Sequence, residues 1–413
     1  MIKKENAELA KRFAAFFPAR ARRSRRRKRC RVEALKALKI APSRRSTTNE
    51  PNRRKPLELP LFERAPGVPF AKGTNNMQRQ WTRRDFMTTT ALGAVAATAN
   101  LNGFSSVARA DESAATYKTK LRSAFILPKV DRKRFEQLAA VGIEGVEISG
   151  WDVDVAAARE GRKIAEETGI KIHSVMRGWT NFNNPNAAKA DVESVKKALT
   201  AAAAFGADAI LLVPCRVGNP GPKPWDFKID FDPKTLMVKS VCEGDNAPFA
   251  EYIKLQNEAT DATYRCMEEL IPVAEAEGVT IGIENVWNNL WCMPNFYAAF
   301  VRSFGHERVK AYFDLGNHVK YAKTEDWLRA CGKDLLVKLH IKDFKVDKNK
   351  GAGGDFVPIG KGSVDWKSVR DCIEEIGYNG WVTQEAGGYT DKSYAQIFAD
   401  FFAGKPFSVQ PDA

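Results

Sequence analysis

The sequence predicts an α/β fold in which eight short strands alternate with eight helices, a (β/α)8 TIM barrel. Three observations predict it. From about residue 121 onward, short apolar runs alternate with longer amphipathic stretches, the pattern of repeated βα units around a parallel sheet. Several helix-to-strand turns carry glycine just past the helix, at Gly142, Gly169, Gly206 and Gly278, where a left-handed residue closes a helix. Eight strand–helix repeats over roughly 290 residues match the ~250 residues of such a barrel plus modest insertions. A doubly wound open sheet would place a glycine-rich turn after its first strand, and Ile126-Leu127-Pro128-Lys129 is not one.

The apolar runs place strands at 123–127, 145–148, 171–175, 209–213, 280–284, 311–314, 336–340 and 381–385. Helical periodicity places helices at 132–141, 155–168, 187–205, 247–277, 294–304, 325–331, 364–376 and 393–402. The longest insertion, 216–246, follows the fourth strand and is rich in Pro, Gly, Trp and Phe. Loops after barrel strands lie on the face where barrel enzymes do their chemistry, so this segment is expected to cover a substrate.

The sequence before the barrel is of a different kind. Residues 1–110 hold 26 Lys and Arg against 7 Asp and Glu, whereas the rest of the chain holds 39 basic and 43 acidic residues, so the net charge of +15 belongs to the leader. A body of net charge −4 has no electrostatic footprint for a nucleic-acid backbone. Residues 1–76 include Arg25-Arg26-Arg27-Lys28-Arg29 and show no apolar periodicity, as expected of a self-repelling, disordered basic segment. This stretch reads either as a basic arm for an anionic surface or as sequence upstream of a true start at Met77. Residues 77–110 resemble a twin-arginine export signal. Arg83-Arg84 comes first, then the weakly apolar run Ala91–Ala97, then the small-x-small site Ala108-Arg109-Ala110. The run is far shorter than the ~20 residues of a membrane-spanning helix. The expected organisation is therefore a leader at 1–76, a signal at 77–110 and a barrel at 120–405, exported to the periplasm or beyond with no stable membrane span.

Six cysteines follow the leader, at 215, 242, 266, 292, 331 and 372, and none forms a CxxC pair. This spacing excludes zinc-ribbon and thiol-redox motifs, and buried free thiols are expected.

Four residues with ligand chemistry end the last four predicted strands: Glu284, Asp314, His340 and Glu385, separated by 30, 26 and 45 residues. One acidic residue at a strand end is commonly just the cap of the next helix. Four in register, each interrupting an apolar run, converge on one rim of a barrel and can share an ion. Three carboxylates and an imidazole suit Mn2+, Mg2+, Co2+ or Zn2+, and the absence of cysteine from the set argues against a structural zinc site.

The stretches Ile283-Glu284-Asn285-Val286-Trp287-Asn288-Asn289, Tyr312-Phe313-Asp314-Leu315-Gly316-Asn317, His340-Ile341-Lys342-Asp343 and Ile359-Gly360-Lys361-Gly362-Ser363-Val364-Asp365-Trp366 resemble the xylose isomerase-like barrel superfamily. Within it they are most similar to the sugar-phosphate isomerase/epimerase group, which includes L-ribulose/L-xylulose 5-phosphate 3-epimerases and D-tagatose 3-epimerases. The resemblance covers about 120–402 and implies one divalent metal held by Glu284, Asp314, His340 and Glu385. It also implies that Glu284 and Glu385 act as the acid/base pair, passing a proton through a metal-chelated enediolate of a small sugar. Relatives often pair, so a homodimer is expected.

Further substrate-binding candidates are Glu147, His173, Arg216, Asn288, His318 and Lys342. Glu147 reads equally as a helix cap, and His173 as a core histidine. Arg216 is either an anion contact or a plain loop residue. His318 stands one residue farther from Asp314 than the histidine that some relatives carry, which puts its role in doubt. Lys342 and Asp343 are expected to position His340 or touch substrate, and Trp179, Trp225 and Trp287 to stack on a sugar ring or simply pack. Multi-zinc apurinic-site endonucleases share the fold but need several histidines, and this chain has four, His173, His306, His318 and His340. Two other readings stay open. A lyase or hydratase acting on a keto-sugar or keto-glycoside would use the same metal site, and a non-catalytic carbohydrate-binding barrel would have no need of the quartet.

Overall fold

The computed structural model describes residues 117–218 and 227–411. The leader, the export signal and Trp225 lie outside the described residues. Within them the chain forms, in order, β1 (Leu121–Leu127), α1 (Arg132–Ala140), β2 (Gly145–Ile148), α2 (Val155–Thr168), β3 (Lys171–Trp179), α3 (Ala188–Phe205) and β4 (Ala209–Val213). A small hairpin of β5 (Asp230–Phe231) and β6 (Val238–Ser240) precedes α4 (Ala250–Glu277), β7 (Thr280–Glu284), α5 (Pro294–Ser303), β8 (Val309–Asp314), α6 (Thr324–Cys331) and β9 (Leu336–Ile341). A second hairpin, β10 (Asp343–Val346) with β11 (Gly354–Val357), leads to α7 (Trp366–Ile376), β12 (Gly380–Gln384) and α8 (Asp391–Phe402).

Strands β1, β2, β3, β4, β7, β8, β9 and β12 close into a barrel in that cyclic order, every neighbouring pair parallel. This is the predicted fold, with all eight predicted strands in place. The helices sit where the caps begin and end them. Asp131, Asp154, Asp365 and Thr390 accept a hydrogen bond from the backbone N–H three residues on, satisfying a donor that the first turn leaves unpaired. The cap at Asp365 explains why α7 starts at Trp366 rather than at 364. Gly169, at φ 73°, closes α2 in the left-handed region, which a β-carbon disfavours.

Apolar residues of both helix and strand faces form one continuous core, with Phe135, Leu199, Leu270, Phe300, Trp327 and Ile397 all buried. A smaller cluster of Met176, Leu211, Val213 and Tyr312 lies on strands of the closed sheet. The six cysteines after the leader are free thiols, and all but Cys242 are buried. No described helix is long and apolar enough to cross a membrane.

The insertion after β4 is not a free-standing flap in its described part. Ile229, Leu236, Val238 and Val241 are buried, Phe231 packs on Phe296 of α5, and Asn257 of α4 pairs through its side chain with the backbone of Val238. The β10–β11 hairpin was not expected from sequence, where 341–363 reads as loop.

Candidate active site

Side chains alternate along a strand, so residues two apart share a face. On β9, Lys338 and His340 face the barrel interior, with Lys342 just beyond; on β8 Tyr312 and Asp314 do so, and on β12 Trp381 and Thr383 lead to Glu385, one residue past the strand. Register completes the arrangement. Asp314 lies opposite His340, which lies opposite Thr383, and Glu284 lies opposite Tyr312. A β-carbon at Gly282, two residues before Glu284, would meet the Tyr312 side chain at 2.9 Å, so glycine there lets the tyrosine fill the space under the quartet.

The four predicted ligands come together as the spacing implied. Glu284, Asp314, His340 and Glu385 each offer a ligand atom within 4.8 Å of all the others. His340 Nδ1 lies 2.9 Å from Glu385 Oε2 and 3.9 Å from Glu284 Oε1. Lys342 Nζ stands 3.1 Å from Glu385 Oε2 and 3.6 Å from Asp314 Oδ2. Asp314 is anchored through one oxygen only, Oδ1, which accepts from the backbone N–H groups of Gly316 and Asn317 at 2.9 and 2.6 Å. Its Oδ2 is buried and accepts no hydrogen bond.

The electrostatics are those of a site short of positive charge. Burial, then the charge of Glu385, pushes the Glu284 carboxyl up to about 8. Burial raises Asp314 to about 6, against the pull of Lys342. Burial also acts to raise Glu385, but Lys342 and His340 outweigh it and hold the group below the ordinary carboxylate range. Three packed carboxylates, one with a buried oxygen that accepts no hydrogen bond, fit a divalent cation, which all four side chains could hold together.

The remaining sequence candidates separate clearly. Lys342 is at the cluster, as above. Arg216 is exposed after β4, its guanidinium 4.2 Å over the Trp179 ring. Glu147 is not a helix cap, since Asp154 caps α2; the Glu147 carboxyl is fully buried with Oε2 2.7 Å from His340 Nε2 and Oε1 accepting from Ser174 at 3.1 Å. His173 is a core residue, stacked on Trp381 at 4.5 Å and bonded to Thr383 at 3.1 Å. Asn288 is buried and bonds the Cys215 carbonyl of the segment after β4 and the Leu290 N–H of its own loop. His318 is buried too, its Nε2 3.1 Å from the Val286 carbonyl and its ring against Tyr321 and Trp327. Burial lowers it to about 3, so the imidazole is neutral at ordinary pH.

Asp343 does not face the cluster either. Its oxygens accept from the N–H groups of Gly360 and Gly362, each at 2.9 Å, and from the Trp366 indole at 3.2 Å. It ties the His340-Ile341-Lys342-Asp343 motif to the glycine-containing motif 359–366. Trp287 packs on Phe356 of the second hairpin at 4.5 Å and lies 3.4 Å from the Lys320 ammonium.

Sequence reasoning missed Asn285 and Asn317. Asn285 bonds both the N–H and the carbonyl of Asp314, at 2.6 and 2.9 Å. The Asn317 amide donates to Glu284 Oε1 at 3.3 Å and to the Asn285 carbonyl at 2.9 Å. The available signal was their place directly after Glu284 and three residues after Asp314.

The sequence family described as xylose isomerase-like TIM barrel matches residues 135–399, more than half of the chain. The chain belongs to this family. Among curated proteins, this xylose isomerase-like barrel is 23% identical over 160 residues to an uncharacterized protein of Methanocaldococcus jannaschii, a match covering 36% of the chain. The chain spans about half the length of that relative, 54%. Among solved structures it is similar to a D-tagatose 3-epimerase-like protein (16% identity, TM-score 0.51, 68% of this chain and 96% of that one). It is also similar to the mannonate dehydratase of Streptococcus suis serotype 2 (15% identity, TM-score 0.50, 71% and 100%). At these identities the likeness is one of fold.

Proposed function

We propose that this barrel is a divalent-metal-dependent sugar isomerase or epimerase that moves a proton next to a carbonyl. The observation that carries the reading is the buried quartet of Glu284, Asp314, His340 and Glu385, with all its ligand atoms within 4.8 Å of one another. A metal bound there, Mn2+, Mg2+, Co2+ or Zn2+, would supply Lewis-acid stabilisation of developing negative charge on the substrate oxygens. Asp314 and His340 hold the set together, and the two glutamates do the proton work.

One of the two glutamates removes the proton from the carbon beside the carbonyl, leaving an enediolate, and the other returns one to the opposite face and inverts the carbon. With a divalent ion at the quartet both carboxyls would be ionised at the start, so the raised Glu284 of the metal-free site does not set their order. Atoms balance: one C–H bond breaks, one forms, and the sugar keeps its formula. Turnover in heavy water should place deuterium at the inverted carbon; continued turnover with no deuterium incorporated would contradict the mechanism.

Substrate identity follows from location. We propose that 77–110 exports the chain by the twin-arginine route, which favours free sugars, sugar acids or glycosides over cytoplasmic phosphosugars. A screen of free and phosphorylated ketoses with Mn2+ tests this, and turnover of phosphorylated ketoses alone would overturn it. One observation favours a second reading. The Lys342 ammonium, 3.1 Å from Glu385, is a further proton donor at the cluster, and elimination from the same enediolate requires a proton for the leaving hydroxyl. Product analysis separates the two: an unchanged formula for epimerisation, loss of water or of an aglycone for elimination.

A further inference from the structure

The contact between Glu147 and His340 joins residues 193 positions apart, and both side chains are fully buried. Glu147 comes from β2, on the side of the barrel that supplies none of the quartet. It reaches across the interior to the one nitrogen of His340 that does not face the other ligands. Its own position is fixed by the Ser174 hydroxyl, and a local irregularity in β3 makes that possible. The β2–β3 register slips between Val146 and Glu147, so that Val146 pairs with Ile172 but Glu147 with Ser174. The extra residue is His173. Strict alternation would send 173 and 174 to opposite faces, yet His173 bonds Thr383 across the barrel and Ser174 bonds Glu147. A bulge places two successive side chains on one face in this way.

A neutral imidazole carries one N–H and one lone pair, and what binds one nitrogen decides which form is present. Both nitrogens of His340 face carboxyl oxygens, Nε2 toward Glu147 at 2.7 Å and Nδ1 toward Glu385 at 2.9 Å. When a metal takes Nδ1, the one remaining proton belongs on Nε2 against Glu147, and the Nδ1 lone pair is free for the ion. The ring plane is fixed as well, by Tyr312, whose ring meets it edge-on at 4.8 Å and 67°. We infer that Glu147 is a positioning residue for the metal centre: through His340 Nε2 it sets the tautomer and orientation that make Nδ1 a ligand, with Ser174 holding it in place. The inference rests on the reading of the quartet as a metal site. Partners of this kind, when lost, typically weaken a metal site by 10- to 100-fold.

The test is calorimetric titration of the metal-free full-length protein with Mn2+ at fixed pH. The variants are Glu147→Leu, Glu147→Gln and Ser174→Ala, with Glu284→Gln as the reference for loss of the site. Glu147→Leu should raise the Mn2+ Kd by about 10- to 100-fold. Glu147→Gln keeps an acceptor and should raise it less but measurably, and Ser174→Ala least. In the Zn2+-loaded protein the His340 Nε2 proton should resonate far downfield, slow to exchange, and Glu147→Gln should move it upfield. A residue serving only stability would lower the melting temperature and leave this signal where it is. Should Glu147→Leu fail to fold, the nearly isosteric glutamine variant carries the test alone. Folded Glu147 variants with wild-type Mn2+ affinity and an unmoved proton signal would overturn the positioning role while leaving the metal site intact. A wild-type chain that takes up no Mn2+ would overturn both.

Discussion

The two halves of the barrel differ in what their strands carry to the rim. Strands β7, β8 and β9 end in or contain Glu284, Asp314 and His340, with Glu385 directly after β12. Strands β1, β2 and β4 end in Leu127, Ile148 and Val213, and β3 in Trp179, which lies under Arg216. The first half contributes apolar filling and one buried acid, Glu147, aimed at the second half. Burying three carboxylates at the ends of β7, β8 and β12 is electrostatically unfavourable, and burial first and the charge of Glu385 after it act to raise Glu284 and Asp314. The half without ligands meets that cost with a dense core and a fixed partner for the single imidazole. Chemistry and stability are thus drawn largely from different strands of one closed sheet.

That division can be broken from either side. The largest effect is expected in the ligand half. Glu284→Gln removes a ligand and half of the acid/base pair, and kcat/KM should fall by about 10²- to 10⁴-fold, with bound metal lost and the metal-free fold no less stable than wild type, as read by steady-state kinetics and by melting of both proteins without metal. In the other half, Phe135→Ala empties a fully buried site on α1 and should cost about 3–5 kcal/mol by denaturant unfolding. The surviving folded fraction should keep its Mn2+ affinity; an equal loss of affinity would mean that the halves are not separable.

A smaller effect concerns pH. Glu284 is raised from 4.5 to about 8 in the folded chain, so its contribution to stability is complete below 4.5 and lost as pH rises through about 8. His173 and His318 are both lowered by burial and act in the opposite sense, but only below their ordinary value of 6.5. Glu385, held low, gives its stability above 4.5. Burial acts to lower His340, but Glu147 and Glu385 outweigh it and hold the imidazole well above its ordinary 6.5, so it loses stability in the same direction as Glu284. Between pH 6.5 and 8 the metal-free protein should therefore lose up to about 2 kcal/mol through Glu284 and more through His340. Glu284→Gln should reduce that slope without abolishing it, and saturating Mn2+ should flatten it by favouring the ionised glutamate and the neutral imidazole. A flat profile for the metal-free wild type would argue against the crowded-carboxylate account.

The quartet was legible because each member breaks an apolar run at a strand end, and the repeat spacing tells which ends converge. Long-range pairings were not. Nothing in Gly145-Val146-Glu147-Ile148 names His340 as a partner, since a contact across a barrel leaves no spacing signal, although an acid inside a short buried strand was itself a clue. For Asn288 and His318, rim position alone does not tell that their side chains bond neighbouring rim loops, at Cys215 and Val286. The β10–β11 hairpin was hidden by the Lys-, Asn- and Gly-rich stretch 347–354, while the alternation of Phe344 and Val346 on one arm could have shown it.

The central claim is that Glu284, Asp314, His340 and Glu385 hold one metal ion. The most direct measurement is an anomalous-difference map from crystals grown with Mn2+. The account predicts a single strong peak per chain in contact with those four side chains, absent from Glu284→Gln crystals. No peak at the quartet, with Mn2+ bound elsewhere or not at all, would contradict it.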